Sequence, residues 1–254
     1  MTEILITGEG PTDYGWKSFG SNNWHEGAAA KLLRRCAEAR LREKGNGDKL
    51  TLHFADRKDV EAFQLQRSLH HGLKGKSIPA LRFYMLMKNR ELKEGIKYFA
   101  GVYYCDADHD YDRPSSEHEA KHCFNERYDQ ISKAATKAKS LSSGNQHTPL
   151  IPMVALRMIE SWLLADADAF TKHYGCKLKN SLPKKPEIIW GDEKDENSNY
   201  PKHVFVNICK RCNNNQEPTR DDYAVIASHA DLSVLCEKRG ISFKRFYDDI
   251  NNLC

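Results

Sequence analysis

From Glu3 to Gly8 the chain is aliphatic or β-branched with little alternation, as in a strand buried on both faces of a parallel sheet. Gly8-Glu9-Gly10-Pro11 ends it sharply, and residues 14–23 read as a polar loop. Ala28, Leu32, Leu33, Cys36, Ala39 and Leu41 recur at helical spacing, which predicts a helix from Trp24 to Lys44, stopped at Gly45-Asn46-Gly47. Alternation from Leu50 to Ala55 suits a second strand, and Val60 to Leu73 suits a helix. The segment from Ile78 to Leu92 carries no decisive period. Ile96 to Cys105 is an apolar strand with a run of aspartates at its C-terminal end. Glu117 to Leu141 is a charged helix, Pro149 to Leu156 a fourth apolar strand, and Met158 to Asp168 the start of a helix rich in large apolar residues.

Beyond residue 168 the character changes. Pro183 to Tyr200 is polar and acidic, an exposed loop by composition. Two or three helices follow, marked by Val204, Val206 and Ile208 and then by Tyr223, Ile226, Leu232 and Leu235, before an amphipathic tail from Ile241 to Ile250. The alternation of strands and helices argues for the α/β class, with an open, mainly parallel sheet flanked by helices. The expected division is an α/β core over residues 1–168 and a C-terminal helical extension over 169–254, packed on the core as one structural unit.

Bulk properties narrow this picture only a little. A chain of 254 residues can bury a sizeable core. No apolar run approaches the ~20 residues of a spanning helix, and the mean hydropathy is −0.70, so no membrane partner is expected. The N-terminus enters a strand without a signal-peptide layout, which predicts a cytoplasmic protein. The formal charge of +4 permits a nucleic-acid partner without arguing for one. Lys31, Arg34, Arg35, Arg40, Arg42 and Lys44 crowd one segment, readable either as a solvated helix face or as a phosphate-contacting surface. Eight cysteines lie without a framework spacing, which fits reduced thiols. Cys209-Lys210-Arg211-Cys212 lacks the second pair that a zinc site would want, and reads as two helix thiols one turn apart.

The chemistry lies in three acidic stretches set among apolar residues: Glu9, the run Asp106-Ala107-Asp108-His109-Asp110, and Glu160. Carboxylates are costly where chain is being buried, so acids at the ends of apolar strands need a partner. Mg²⁺ or Mn²⁺ suits them, because hard divalent cations take oxygen ligands and keep water for chemistry. Past the end of a strand, alternation puts Asp106, Asp108 and Asp110 on one side, and Glu9 from a neighbouring strand end would complete the set. In open α/β sheets, ligands gather at such C-terminal strand ends. An isolated Asp-x-Asp would be an acidic turn or a helix cap; joined to Glu9 it reads as a metal site for phosphoryl transfer. Glu160 is either a helix-start acid favoured by the dipole or a third acidic ligand.

These residues carry a resemblance. Gly8-Glu9-Gly10-Pro11-Thr12-Asp13 followed by a distant Asp106-x-Asp108 resembles the TOPRIM superfamily, the metal-binding domain of topoisomerases, primases and the nuclease half of overcoming-lysogenization-defect proteins. Ile159-Glu160-Ser161-Trp162-Leu163-Leu164-Ala165-Asp166, Tyr200-Pro201-Lys202 and Ser242-Phe243-Lys244-Arg245-Phe246 look like a small stand-alone TOPRIM-like family, whose genes often lie beside ABC-type ATPases in phage-defence neighbourhoods. The resemblance implies a TOPRIM-like sheet and a Mg²⁺-dependent nuclease of the two-metal type acting on DNA or RNA. Glu9, Asp106 and Asp108 would be its ligands, Glu160 a later acidic ligand and Lys202 the stabiliser of the scissile phosphate; Asp110, from the strand alternation alone, is an accessory metal ligand. An ABC-type ATPase partner and a role as an anti-phage effector follow from the same resemblance. No topoisomerase-like tyrosine context and no primase-like zinc apparatus is present, which favours a nuclease over either. Arg157, one turn before Glu160, reads as a phosphate contact or a surface charge, and His109 as a base or a partner of its acidic neighbours.

Two other classes compete. Asp106-x-Asp108 also resembles the nucleophile motif of haloacid dehalogenase-type phosphatases, but those carry it on the first strand and would leave Glu9 unexplained. The other rival is a non-catalytic regulatory or binding subunit of an ABC-type ATPase, docking through the tail aromatics Phe243, Phe246 and Tyr247, which suit packing onto the sheet equally well. A homo-oligomer is compatible with either.

Overall fold

The computed structural model describes residues 1–18, 20–45, 49–107, 117–141, 147–178, 182–237 and 241–253, and of Pro11, Thr12 and His70 the backbone only. The first half runs β1 (Thr2–Gly8), α1 (Pro11–Tyr14), β2 (Gly15–Lys17), β3 (Trp24–Glu26), α2 (Ala28–Glu43), β4 (Leu50–Phe54), α3 (Arg57–Ala62), α4 (Arg67–His70) and α5 (Ser77–Glu94). It continues with β5 (Ala100–Asp106), α6 (Glu117–Leu141), β6 (Leu150–Ala155), α7 (Ile159–Leu163) and α8 (Ala167–Tyr174). After a 3-10 turn at Pro186–Ile188 come α9 (Pro201–Cys212), α10 (Arg220–His229), α11 (Leu232–Glu237) and α12 (Ile241–Asn251).

Four strands make a parallel sheet in the order β4-β1-β5-β6. The two central strands, β1 and β5, are the near-continuous apolar runs of the sequence, because helices cover both faces. Ile4, Ile6, Val102, Tyr104 and Met153 point to one face and pack with α2 and the C-terminal helices. Leu5, Tyr103, Cys105 and Val154 point to the other and pack with α5 and α6. Gly8 pairs with Tyr104, and a Cβ there would stand 2.8 Å from that of Tyr104, so glycine lets the strand end flush against its neighbour. Among the described residues no helix is long and apolar enough to cross a membrane.

The structure departs from the periodicity in identifiable places. Ser77–Glu94 is one helix, ended by Gly95 at φ 68°. It buries Ala80, Phe83, Tyr84 and Met87, while Leu92 is 87% exposed; that exposed leucine is what blurs the amphipathic pattern. Trp24–Glu26 is not helical but pairs antiparallel with Gly15–Lys17, and the helix begins only after Gly27. Trp24 stacks on Phe54 at 5.1 Å, a tertiary contact that holds it out of the helix. The expected helix from Val60 to Leu73 is two short ones, the first capped by Asp56 accepting from the Lys58 N–H at 3.0 Å and stopped by extended backbone at Phe63. The helix expected from Met158 likewise divides, with Asp166 capping α8.

The tail lies on the sheet, its α12 against β6. Phe243 and Phe246 are buried against Trp162 at ring distances of 5.2 and 6.3 Å. Glu187 from the 3-10 turn joins this junction, accepting from the Trp162 indole N–H at 2.8 Å, the Ser242 hydroxyl at 2.5 Å and the Ser242 and Phe243 N–H groups. It thereby satisfies N–H groups in the first turn of α12. Cys176 and Cys212 form a disulfide, which corrects the expectation of reduced thiols and removes Cys212 from any metal site with Cys209, a buried free thiol. The early basic cluster is largely consumed internally. Lys31 and Arg34 pair with Glu26, and Arg35 caps the carbonyls of Ala227 and Ala230.

Candidate metal centre

The carboxylates meet above the C-terminal edge of the sheet, on the face shared with Tyr104. Asp106 is the last residue of β5, and the buried Tyr104 hydroxyl donates to its Oδ1 at 2.6 Å. Two residues along a strand share a face, so the same alternation that buries Tyr104 delivers Asp106. Asp13 comes from the turn after β1. Gly10, at φ 74°, admits the sharp reversal, and the Asp13 N–H bonds the Gly10 carbonyl at 3.0 Å. A side chain on Gly10 would meet Asp13 Oδ2 at 2.6 Å, so this glycine clears the space for the carboxylate. Glu160 sits in the first turn of α7, just past β6, and is 7% exposed. Tyr223 from α10 stands beside it, and its hydroxyl favours the ionised Glu160 carboxylate. Lys202, the second residue of α9 behind Pro201, is exposed at the rim, and its charge acts on both Asp13 and Glu160.

The electrostatics are those of a site short of positive charge. Burial, followed by the charges of Asp106 and Glu160, pushes the Asp13 carboxyl well above its ordinary value; Lys202 opposes and Glu9 adds to the rise. Burial also raises Glu160, partly offset by a backbone N–H, Lys202 and Tyr223. Tyr104 and Tyr223 are driven upward by burial and by the neighbouring acids, so both hydroxyls stay protonated and remain donors.

Of the residues singled out in the sequence, Asp106, Glu160 and Lys202 are brought together here. Glu9 is not in the same position. It follows Leu5 and Thr7 on the alternating side of β1 and looks over the opposite face, where it pairs with the Lys76 ammonium and lines a cavity with Val60 and Tyr103. Its charge still reaches Asp13. Asp108, His109 and Asp110 lie outside the described residues. Arg157 is buried and stacked over the Trp190 ring at 3.7 Å, so it is not a surface charge. The sequence reading missed Asp13, Tyr104 and Tyr223. Asp13 had a signal, since Pro11-Thr12-Asp13 is a helix start just past the end of the first strand.

The donors fit a hard divalent cation in kind, being carboxylate oxygens throughout. Two of them, Asp13 and Glu160, hold protons with raised affinity chiefly because they are buried, Lys202 only partly opposing the rise, and a cation would displace those protons. As the side chains stand, no three His, Cys, Asp or Glu residues among those described already surround one point at ligand distance. No family model, no curated protein and no solved structure matches the chain.

Proposed function

We propose that the chain is a Mg²⁺- or Mn²⁺-dependent nuclease of the TOPRIM type, cleaving phosphodiester bonds of DNA or RNA. The observation that carries this reading is that Asp13, Asp106 and Glu160, from three separate elements at the C-terminal edge of the sheet, lie within electrostatic reach of one another and of Lys202. A buried acid cluster of this kind is costly unless something else contributes positive charge. Asp13, Asp106 and Glu160 would hold the cation. When bound, the cation would supply charge neutralisation at the phosphoryl oxygens and an activated water. Tyr104 and Tyr223 orient Asp106 and Glu160 from behind. Lys202, at the open rim, would neutralise charge developing on the scissile phosphate.

The role as an anti-phage effector and the ABC-type ATPase partner rest on the motif resemblance alone. The non-catalytic reading drew on the aromatic stripe of the tail, and with Phe243 and Phe246 buried against Trp162 that stripe is not offered to a partner. The test is incubation of purified protein with single- and double-stranded DNA and RNA in Mg²⁺ or Mn²⁺, beside a phosphatase assay. Cleavage lost in Asp106→Ala, with the melting curve retained, supports the nuclease. Equal behaviour of wild type and variant on every substrate overturns it.

A further inference from the structure

Across the sheet edge from the carboxylate cluster is a cavity of about 300 Å³, between the end of β1, α3, the start of α5 and the middle of α6. Three cations from three elements line it: Arg57, Lys76 and Arg127. Against them stand Glu9 and Glu61, and Glu61 is an exposed surface partner of Arg57. The cations are held in place. The Lys76 backbone N–H and the Arg127 guanidinium both donate to Gln130 Oε1, at 2.8 and 3.3 Å, which locks the start of α5 to α6. Arg127 Nε is buried without a hydrogen-bond partner among the described residues. Glu9 holds the Lys76 ammonium at the border between this cavity and the carboxylate cluster, since Glu9 lines the first and acts on Asp13 in the second.

We infer that this cavity is a second phosphate site, taking a phosphodiester of the substrate strand next to the one held at the carboxylates. The inference rests on the nuclease reading. Two guanidiniums and an ammonium present forked and single donors to an acceptor with several oxygens. The volume admits a phosphate with part of its sugar. A neighbouring phosphate fixed here would set the strand's direction across the metal centre and hold the scissile bond in register.

The experiment uses the full-length protein carrying Asp106→Asn, so that a bound strand is not cut, and a fluorescein-labelled single-stranded oligonucleotide in EDTA at several salt concentrations. Arg57→Gln, Lys76→Met and Arg127→Met are added singly, with melting curves in the same buffers. Arg57→Gln, at an exposed position, keeps the test alive if a buried variant fails to fold. Binding weakened about tenfold, with the salt slope shallower by about 0.7 per contact removed, supports the site. Unchanged affinity and slope in folded variants overturn it. Absence of binding by the Asp106→Asn parent overturns it too, and cleavage by wild type in Mn²⁺, assayed in parallel, tells whether the nuclease reading falls with it.

Discussion

The Tyr104 hydroxyl donates to Asp106 Oδ1 at 2.6 Å from within the same strand, so one stretch of backbone fixes both the carboxylate and the group that aims it. Tyr104 is fully buried, and its hydroxyl stays protonated because burial and the adjacent acids oppose its ionisation. Tyr104→Phe removes that donor while keeping the ring in the core. The expected result is a metal requirement raised about 10- to 100-fold with little loss of fold. Titrating cleavage against Mn²⁺ concentration checks it, and an unshifted midpoint would remove Tyr104 from the site.

Asp13 and Glu160 give a pH dependence whose sign follows from their raised values. Each binds its proton more tightly in the folded than in the unfolded chain, where the ordinary values of 3.8 and 4.5 apply. Their contribution to stability is therefore complete below those values and is lost as pH rises through the raised folded ones. Without metal, wild type should gain melting temperature from neutral toward mildly acid pH more steeply than Asp13→Asn. With Mn²⁺ the order reverses, because a bound cation displaces the protons: the metal-induced rise in melting temperature should grow with pH and shrink in Asp13→Asn. Scanning calorimetry from pH 5 to 8 tests both halves, and parallel curves for the two proteins would count against Asp13 as a ligand.

Lys202 is expected to act on turnover rather than on the fold, being exposed at the rim of the site. Lys202→Met should reduce cleavage about 100-fold. The melting curve and the Mn²⁺-induced shift should be retained. If the metal shift disappears along with cleavage, Lys202 shapes the site and does not meet the phosphate.

Glu187 ties three elements together from a buried position, where burial holds its carboxyl above the usual range against four donors that pull it down. Glu187→Ala strands the Ser242 and Phe243 N–H groups in the first turn of α12 and leaves the Trp162 indole only the Ser242 hydroxyl. The expected cost is about 3 kcal/mol or more, with Glu187→Gln milder because it keeps an acceptor. Urea unfolding followed by tryptophan fluorescence measures it. A loss under about 1 kcal/mol would mean that the junction repacks.

The disulfide between Cys176 and Cys212 closes a sequence separation of 36 residues that includes the start of α9, and so Lys202. Cys212→Ser, or reduction of wild type, should lower stability by about 2–4 kcal/mol. Reduction that leaves the melting temperature unchanged would show the link to be idle. Free-thiol titration of the unfolded, unreduced protein checks that the bond is formed.

The apolar runs in β1, β5 and β6 and the helical spacing of α2, α6 and α12 are local signals, since burial on both faces or along one stripe is written directly into residue order. They sufficed for the parallel α/β sheet and for acids at its C-terminal edge, Asp106 and Glu160 among them. Which acids face one another was decided only by the tertiary structure. Alternation along β1 sends Glu9 over one face to Lys76, while the reversal at Gly10 returns Asp13 to the other face beside Asp106. Tyr223 and Lys202 reach the same point from helices far along the chain, through packing that leaves no periodic trace near either residue. Periodicity reports which face of an element is buried. The pairing of charges across elements depends on how those elements stack, and that is set by side-chain volumes and by close approaches such as Gly8 against Tyr104.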